Sequence, residues 1–313
     1  MAQPTNAATT LTSTDSTGST LGGFLRPEQA GYIFEDAAKQ SVVQRLVPQI
    51  PLGANGVEIP YVTSKPTATW VGEAEKKKVT SGGIDLATMR SRKLAAIFVV
   101  SAEVVRANPG NYVTMLRSQM AEAFALAFDA AALHGTGSPF DTYIDQATKT
   151  QVIGDGAVAT GGVYGELNGV LSQLVADGKK LRSWAFDERL EPTLNASFDT
   201  TGRPLFVLQD SANTNEVFRQ GTALNRPAFI GEGVANADGT ILGYGGDWSK
   251  ARWGVVGGIT YDVSQQASVT LNDTLVSLWE HNLVAVRAEA EYGFYVHDTE
   301  AFVKLTAPEE TGA

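Results

Sequence analysis

The segment 51–95 constrains the fold most, because it predicts a long β-hairpin that has no partner nearby in the sequence. Residues 57–62 alternate apolar and polar side chains as a strand does, and Pro60 among them suits an edge strand. Residues 67–71 are interpreted as more strand, and the chain returns as a strand over 84–100. A hairpin of two strands, here about forty residues, is only marginally stable alone in water. We therefore expect this segment to lie on something other than its own chain.

The tip of this hairpin, residues 72–83, is polar and contains the sharpest charge cluster of the sequence, three consecutive lysines. A run of like charges is usually a solvated surface, and the alternative is a contact with an acidic neighbour. Two arginines on one face of the returning limb support that alternative weakly. The residues predicted to make contacts between subunits are Trp70, Glu73, Lys76, Lys77, Lys78, Arg90 and Arg92.

Composition excludes several classes of protein. With 313 residues, 43% hydrophobic and 19% charged, the chain is globular and forms one large domain or two ordinary ones. It has no cysteine, which excludes disulfides, thiolate nucleophiles, iron–sulfur clusters and cysteine-bound zinc. A net charge of −10 disfavours specific nucleic-acid binding. No stretch approaches the ~18 apolar residues of a membrane span, and we expect no membrane association.

The amino-terminal residues 1–23 are mostly polar, and Asp15 is their only charged side chain. Such a segment has too little apolar surface to fold alone, and it lacks the basic start and apolar core of a signal peptide. In an isolated protein it would be a floppy tail. The alternative is an arm that a partner or a neighbouring subunit holds in place.

The longest predicted helix runs from Pro109 to His134. Asn108 before Pro109 is a favourable cap, and Gly135 is a typical stop. An apolar residue recurs at every fourth position, at Tyr112, Leu116, Met120, Phe124 and Phe128. At ~1.5 Å per residue the helix is roughly 39 Å long.

The remaining pattern predicts a mixed α+β protein. We expect one or two short helices within 26–46, a helix over 163–176, and strands over 183–187, 204–209, 228–230, 253–263 and 301–305. The cleanest strand covers 284–296, where apolar residues alternate with Arg287, Glu289 and Glu291.

Motifs that would indicate catalysis are missing from the sequence, which contains no nucleotide-binding, metalloprotease, hydrolase or calcium-binding pattern. The nearest approach to a phosphate loop, Gly243–Gly246, lacks the downstream lysine and is interpreted as a turn. The histidines are interpreted as structural or solvated: His134, His281 and His297. We therefore expect no catalytic residue, no cofactor and no metal.

Three longer stretches, in this order and at this spacing, read IPYVTSKPTATWVGEAEKKKVTS, KLAAIFVVSAEVVRANPGNYVTMLRSQMAEAFALAFDAAALHGTG and NLVAVRAEAEYGFYVHDTEAFVKL. Together they resemble the major capsid proteins of tailed bacteriophages, the Hong Kong 97 fold family. The first is similar to the extended loop of that family, the second to its strand, spine helix and glycine turn, and the third to its closing strands. The resemblance covers nearly all of residues 24–307.

This resemblance implies an α+β, Hong Kong 97-like capsid fold with four parts. They are an amino-terminal arm (1–50), an extended β-hairpin loop (51–95), a peripheral domain (96–150 and 283–313, with the spine helix 109–134) and an axial domain (151–282). The hairpin without a local partner would then lie across an adjacent subunit.

The resemblance also implies a structural protein and no enzyme. Its copies would assemble as hexamers and pentamers into an icosahedral shell around the double-stranded DNA of a tailed phage, within the virion and after assembly in the cytoplasm of the host bacterium. The implied partners are further copies, a portal, in some cases a decoration protein, and packaged DNA in non-specific proximity. The short, threonine-rich start departs from the long, charged segment of many members, which implies a separate scaffolding protein.

Some members of the family join a lysine of the extended loop to an asparagine of a neighbouring subunit. Lys76, Lys77 or Lys78 and Asn282 are the residues that such a reaction would use here, but no motif marks them. Two other functions stay open: an encapsulin-type compartment with the same fold that stores an enzyme, and a monomeric hydrolase that uses carboxylates of 151–282.

Overall fold

The computed structural model describes residues 41–73, 75–77, 79–107, 112–156, 161–197, 206–208, 219–271 and 273–308. The helices in these ranges are α1 (Val42–Leu46), α2 (Ala102–Ala107), α3 (Tyr112–Leu133), α4 (Gly162–Ala176) and α5 (Glu191–Asn195). Single 3₁₀ turns lie at Ile144–Gln146, Glu188–Leu190, Trp248–Lys250 and Thr299–Ala301.

The first strands are β1 (Val57–Ser64), β2 (Gly83–Met89), β3 (Arg92–Ser101), β4 (Lys149–Val152), β5 (Ser183–Phe186), β6 (Val207–Leu208) and β7 (Arg219–Ala223). The others are β8 (Arg226–Ile230), β9 (Ile241–Gly246), β10 (Ala251–Ser264), β11 (Ser268–Leu271), β12 (Thr274–Ser277), β13 (Leu283–Val296) and β14 (Phe302–Thr306). The protein is α+β, as predicted.

One antiparallel sheet has the order β10-β13-β3 and lies against α3. Its central strand confirms the predicted alternation, because the apolar side chains at the even positions from 284 to 296 are all buried and Arg287 is exposed. The periodic stripe of α3 is buried at Met120, Phe124 and Phe128, which join the core cluster of Tyr292. The residues around Asn108 lie outside the described part of the chain.

A second sheet has seven strands in the order β4-β14-β9-β5-β8-β7-β6. The pairs β4/β14 and β5/β8 are parallel, and the remaining pairs are antiparallel. A second core cluster of the protein lies on this sheet and joins Leu167, Val170 and Leu174 of α4 to Trp184 and Phe186 of β5. The predicted helix over 163–176 and the predicted strands at 183–187, 228–230, 253–263 and 301–305 are therefore confirmed to within a few residues. Of the strand predicted over 204–209, the described residues form the short β6.

The prediction of a turn at Gly243–Gly246 is wrong, because these residues belong to β9 inside the seven-stranded sheet. A Cβ atom on Gly245 would lie 2.6 Å from the Trp184 ring, and one on Gly246 would lie 2.5 Å from the Ala301 carbonyl oxygen. The glycines thus make room for neighbouring strands and do not form a bend.

The sheets do not follow the predicted domain bounds. β10 falls within the predicted axial segment, 151–282, yet it pairs with β13 and buries Trp253 in the core of α3. β14 falls within the predicted peripheral segment, yet it pairs with β4 and β9 in the seven-stranded sheet. Pairing with strands that are distant in the sequence decides which sheet β10 and β14 belong to. The division into domains stays a prediction.

The predicted hairpin is present as β1 and β2, paired from Val57/Met89 to Ser64/Gly83. Met89 and Ala87 are buried at its base, whereas most of the ribbon beyond them is exposed. The strand predicted over 67–71 is wrong, because the described residues between β1 and β2 form no strand. The chain also changes sheet after Met89, so β2 and β3 are separate strands.

Candidate assembly surface

The loop tip, which we define as residues 65–82, carries four of the predicted contact residues into solvent. Trp70 is fully exposed, at 104% of its reference area, and Glu73, Lys76 and Lys77 are exposed as well. None of these three charged residues forms an ion pair with another described residue. Lys78 lies outside the described residues. The tip therefore presents a large apolar ring among unpaired charges.

The other predicted contact residues, Arg90 and Arg92, are exposed at the opposite end of the ribbon, next to the base at Met89. The seven residues of β2, at ~3.3 Å each, separate the base from the start of the tip by roughly 20 Å. The structure thus divides the candidates into two groups and does not bring them together within one chain.

Arg92 lines a groove between the end of α3, the turn at 136–140 and the start of β3. This groove, which we call the spine groove, has a volume of about 350 Å³. Its apolar lining includes Phe128, Phe140 and Tyr292. Sequence analysis assigned Phe128 and Tyr292 to periodic core faces and did not find the groove, since its walls come from three separate segments.

Residues 41–43, at the start of α1, contact a buried carboxylate of α3. Asp129 of α3 accepts hydrogen bonds from Ser41 Oγ at 2.6 Å, from the Val42 amide at 2.8 Å and from the Val43 amide at 3.2 Å. Ser41 Oγ in turn accepts from the Gln44 amide at 3.1 Å and caps α1. The last residues of the predicted arm, 41–50, are therefore packed on their own chain, and residues 1–40 lie outside the described part.

Asp129 gives this contact a pH dependence that can be measured. Burial raises its pKa from the ordinary 3.8 to about 7, although hydrogen bonds from Ser41, Val42 and Val43 each lower it. Between about pH 4 and pH 7 the folded chain then binds more protons than the unfolded chain. The stability linked to this proton is fully present below about pH 4 and is lost as the pH rises through 7.

We expect Asp129→Asn, which cannot titrate, to flatten that dependence. The measurement is the free energy of unfolding of the unassembled subunit, from urea titrations at several values between pH 4 and pH 8. The native chain should lose more stability than the variant over this range. Equal slopes for the two chains would contradict the assignment.

The histidines occupy structural positions. His134 Nδ1 lies 2.9 Å from the Tyr244 hydroxyl and 3.5 Å from a carboxylate oxygen of Asp145. His297 packs on Tyr61 in the middle of β1 with a ring separation of 4.2 Å, and His281 Nδ1 lies 2.9 Å from a backbone carbonyl oxygen. In the described ranges no group of three or more His, Asp or Glu residues is arranged to hold a metal ion.

Three carboxylates of the segment 151–282 are bound within the fold. Glu166 accepts hydrogen bonds from three successive backbone amides, at 154–156. Asp187 accepts from the amides of Arg189 and Ala235, and Glu191 pairs with Arg219. These contacts account for the side chains structurally, and nothing in them favours a catalytic pair.

Comparison with known proteins decides what this arrangement belongs to. The profile of the phage capsid family matches residues 22–307. The chain is 46% identical over 297 residues to the "Probable major capsid protein gp17" of Mycobacterium phage D29, covering 93% of this chain and 92% of that protein. The chain belongs to the phage capsid family. The corresponding protein of Mycobacterium phage L5 is 44% identical over 300 residues, with 93% and 91% covered.

Solved structures from other phages share its fold. A chain from Mycobacterium phage Adephagia superposes with a TM-score of 0.69 at 17% identity, covering 87% of this chain and 92% of that one. A chain from Gordonia phage Cozz gives a TM-score of 0.64 at 22% identity, with 87% of both chains covered. The resemblance to tailed-phage capsid proteins is thereby confirmed, and the protein is a structural component of the virion shell. In the part of the chain that the structure describes, no helix is both long and apolar enough to cross a membrane.

Proposed function

We propose that this chain is the major capsid protein of a tailed phage and that its copies close into rings of six and five subunits. The observation that carries the proposal is the match to named major capsid proteins over nine tenths of both chains. A chain with TM-score 0.59 comes from a particle described as a capsid with C5 symmetry, which supports rings of five. Rings require heterologous contacts, in which one surface of a copy meets a different surface of the next.

The described surface supports such contacts. The loop tip exposes Trp70 and Val79, at 104% and 97%, beyond a ribbon that packs on the rest of the chain through Met89 and through Tyr61, which contacts His297. Exposed apolar side chains on a projecting element are typical of a surface that another molecule covers. In our proposal residues 51–95 act as the extended loop and lie across an adjacent copy. Residues 1–40 act as an arm between copies, and 96–150 with 283–313 and 151–282 act as the peripheral and axial domains.

In this proposal the free energy of assembly comes from the interfaces between copies, and the chain catalyses no reaction. Subunit contacts of an obligate shell can bury several thousand Å² per copy, so projecting elements enlarge the interface without a larger core. A net charge of −10 suits an inner wall that packaged DNA approaches without tight binding. A separate scaffolding protein, a portal and a decoration protein are further partners in this proposal.

Expression of the full chain with its phage scaffolding protein, followed by electron microscopy, tests this proposal. We expect closed particles with icosahedral symmetry. The contents of particles from the phage itself distinguish the encapsulin-type alternative: double-stranded DNA supports the capsid proposal, and a protein cargo would overturn it. A stable monomer with hydrolytic turnover would favour the third function, which no contact described above supports.

Reversal of the lysine run gives a further test. Replacing Lys76, Lys77 and Lys78 by Glu changes the local charge by six units, and we expect fewer or less stable particles from subunits that fold normally. The control compares the single reversal Lys77→Glu with Lys180→Glu, at an exposed lysine that follows α4 and lies outside the loop tip. Particles that keep their yield and melting temperature would show that the lysines face solvent in the shell.

A further inference from the structure

The exposed ring at the loop tip requires a partner that its own chain does not provide. Trp70 has its whole side chain in solvent, and so makes no packing contact. Tryptophan is enriched among the few residues that dominate the affinity of an interface, where it fills a pocket on the partner. The best candidate pocket is one that is apolar, open and of the right size.

The spine groove has those properties. Phe128 and Tyr292, each 2% exposed, line the buried side of the groove, and the partly exposed Phe140 and the exposed Ala127 line its open side. Its volume of about 350 Å³ is at the small end of the ~300–1,000 Å³ of small-molecule sites, which suits a single indole. Aromatic rings at centroid distances of ~4.5–7 Å add a favourable geometry to the apolar burial.

One local pair of opposite charges favours the same pairing, whereas the lysines at 76–78 have the same sign as the groove and would have to face away from it in this arrangement. Arg92 lines the groove, is exposed, and pairs with no carboxylate among the described residues. Glu73 follows Trp70 by three positions and is equally exposed and unpaired. Lys93 adds a second positive charge at the groove and has its own partner, Glu289, at 3.5 Å. A tip that inserts its indole would place a carboxylate near an unpaired guanidinium.

In this structure the tip of the same copy does not fill the groove, because Trp70 is fully exposed. The ladder between β1 and β2 runs to Ser64/Gly83 with a register shift after Val62, and it places the start of the tip roughly 20 Å from the base, next to which Arg92 lies. A second copy of the chain is therefore the occupant that the observations favour.

We propose that, in the assembled shell, Trp70 of one copy inserts into the spine groove of an adjacent copy, with Glu73 facing Arg92. This inference rests on the proposed function, since it requires copies to meet. The indole covers the open side of the groove at Phe140 and Ala127, and the ion pair sets the orientation of the tip. The contact is heterologous and so propagates from copy to copy around a ring.

Cysteine pairing tests the contact directly, because the native chain contains no cysteine. Val71 lies beside Trp70, and Ala127 is an exposed residue of the groove wall. In particles of the Val71→Cys, Ala127→Cys variant, mild oxidation should give a ladder of disulfide-linked chains on a non-reducing gel. Peptide mass spectrometry should find residue 71 joined to residue 127.

The matched control keeps the loop cysteine and moves its partner. Val71→Cys with Val175→Cys places the second thiol on an exposed position of α4, far from the groove, and should give no ladder. Particles of the first variant that stay monomeric on the gel would overturn the proposal. So would an equal yield from the control.

A charge exchange tests the pairing by an independent route. Glu73→Arg alone and Arg92→Glu alone should each reduce particle yield several-fold, and the double exchange should restore most of it. Trp70→Ala should reduce yield at least about tenfold, as expected for an interface hot spot, while Trp70→Phe should keep most of it. Strictly additive losses in the charge exchange, or native yield from Trp70→Ala, would contradict the proposal.

These outcomes separate the two proposals. If the native chain forms no shells, the proposed function fails and this contact fails with it. If native shells form and neither the disulfide nor the charge exchange behaves as stated, only the inserted tryptophan is wrong, and the extended loop lies on another surface.

Discussion

Phe128→Ala is expected to lower the free energy of unfolding of the subunit by about 3–5 kcal/mol. Phe128 is 2% exposed and lies within ring-contact distance of Tyr292 at 5.0 Å, Phe140 and Trp253 at 6.1 Å each, and Phe294 at 6.2 Å. Removing the ring deletes contacts from both α3 and the three-stranded sheet and leaves a cavity between them. Chemical unfolding of the unassembled subunit measures the loss.

A matched control for this substitution is Val175→Ala on α4, where the side chain is 60% exposed. An exposed truncation of this kind should change stability by no more than about 0.5 kcal/mol. Phe128→Leu, which keeps part of the apolar volume, should lie between the two. A decrease in the free energy of unfolding below about 1 kcal/mol for Phe128→Ala would show that the ring cluster is not the core between α3 and the three-stranded sheet.

Removal of the loop tip is expected to abolish shells while leaving the subunit folded. Ser64 and Gly83 form the last pair of the ribbon, so an Asn-Gly turn can replace residues 65–82 and close the hairpin. The deleted residues contribute nothing to either main core cluster, and the free energy of unfolding should change by less than about 1 kcal/mol. The contacts between copies, in contrast, lose Trp70 and the charges around it.

Light scattering and electron microscopy measure the assembly of the shortened chain, and urea unfolding measures the fold. A control chain that carries a Gly-Ser segment of the native length in place of 65–82 distinguishes loss of contacts from loss of reach. Both chains should fail to assemble. Normal shells from either one would mean that the tip is dispensable and that other surfaces hold the copies together.

The elements that sequence predicted well are those whose pattern depends on their own neighbours along the chain. β13 alternates without interruption for fourteen residues, and α3 repeats an apolar residue at every fourth position. Each pattern reflects burial against the other element, so periodicity alone locates both. The hairpin followed from the same alternation and from Pro60, which donates no hydrogen bond to a further strand.

Elements that depend on distant residues escaped prediction. Gly243–Gly246 has the composition of a turn, and only the Trp184 ring and the Ala301 carbonyl oxygen explain why a buried strand carries those glycines. The predicted strand over 67–71 has a suitable composition but finds no partner strand. Strand pairing depends on two segments, so the sequence of one segment alone does not predict whether it pairs.

The candidate surface was predicted only in part for the same reason. Sequence analysis predicted Trp70 and Glu73 as contact residues, and both are exposed at the tip. It did not predict the spine groove, since Phe128 and Tyr292 come from segments that are far apart in the chain. The sequence does not distinguish Asp129 from other acidic residues on a helix, because its contact with Ser41 joins residues 88 positions apart.

The anchoring of residues 41–50 has a mechanical consequence. Besides the bonds to Asp129, the Val47 carbonyl oxygen accepts from the Trp253 indole at 2.9 Å, and the Ile50 amide donates to the Trp253 carbonyl oxygen at 2.8 Å. A pulling force on the chain before Ser41 is therefore resisted by a helix and a strand at once. In the proposed shell, tension between copies would be transmitted to α3 and β10. A rise in internal pressure would then act on the hydrogen bonds to both elements together.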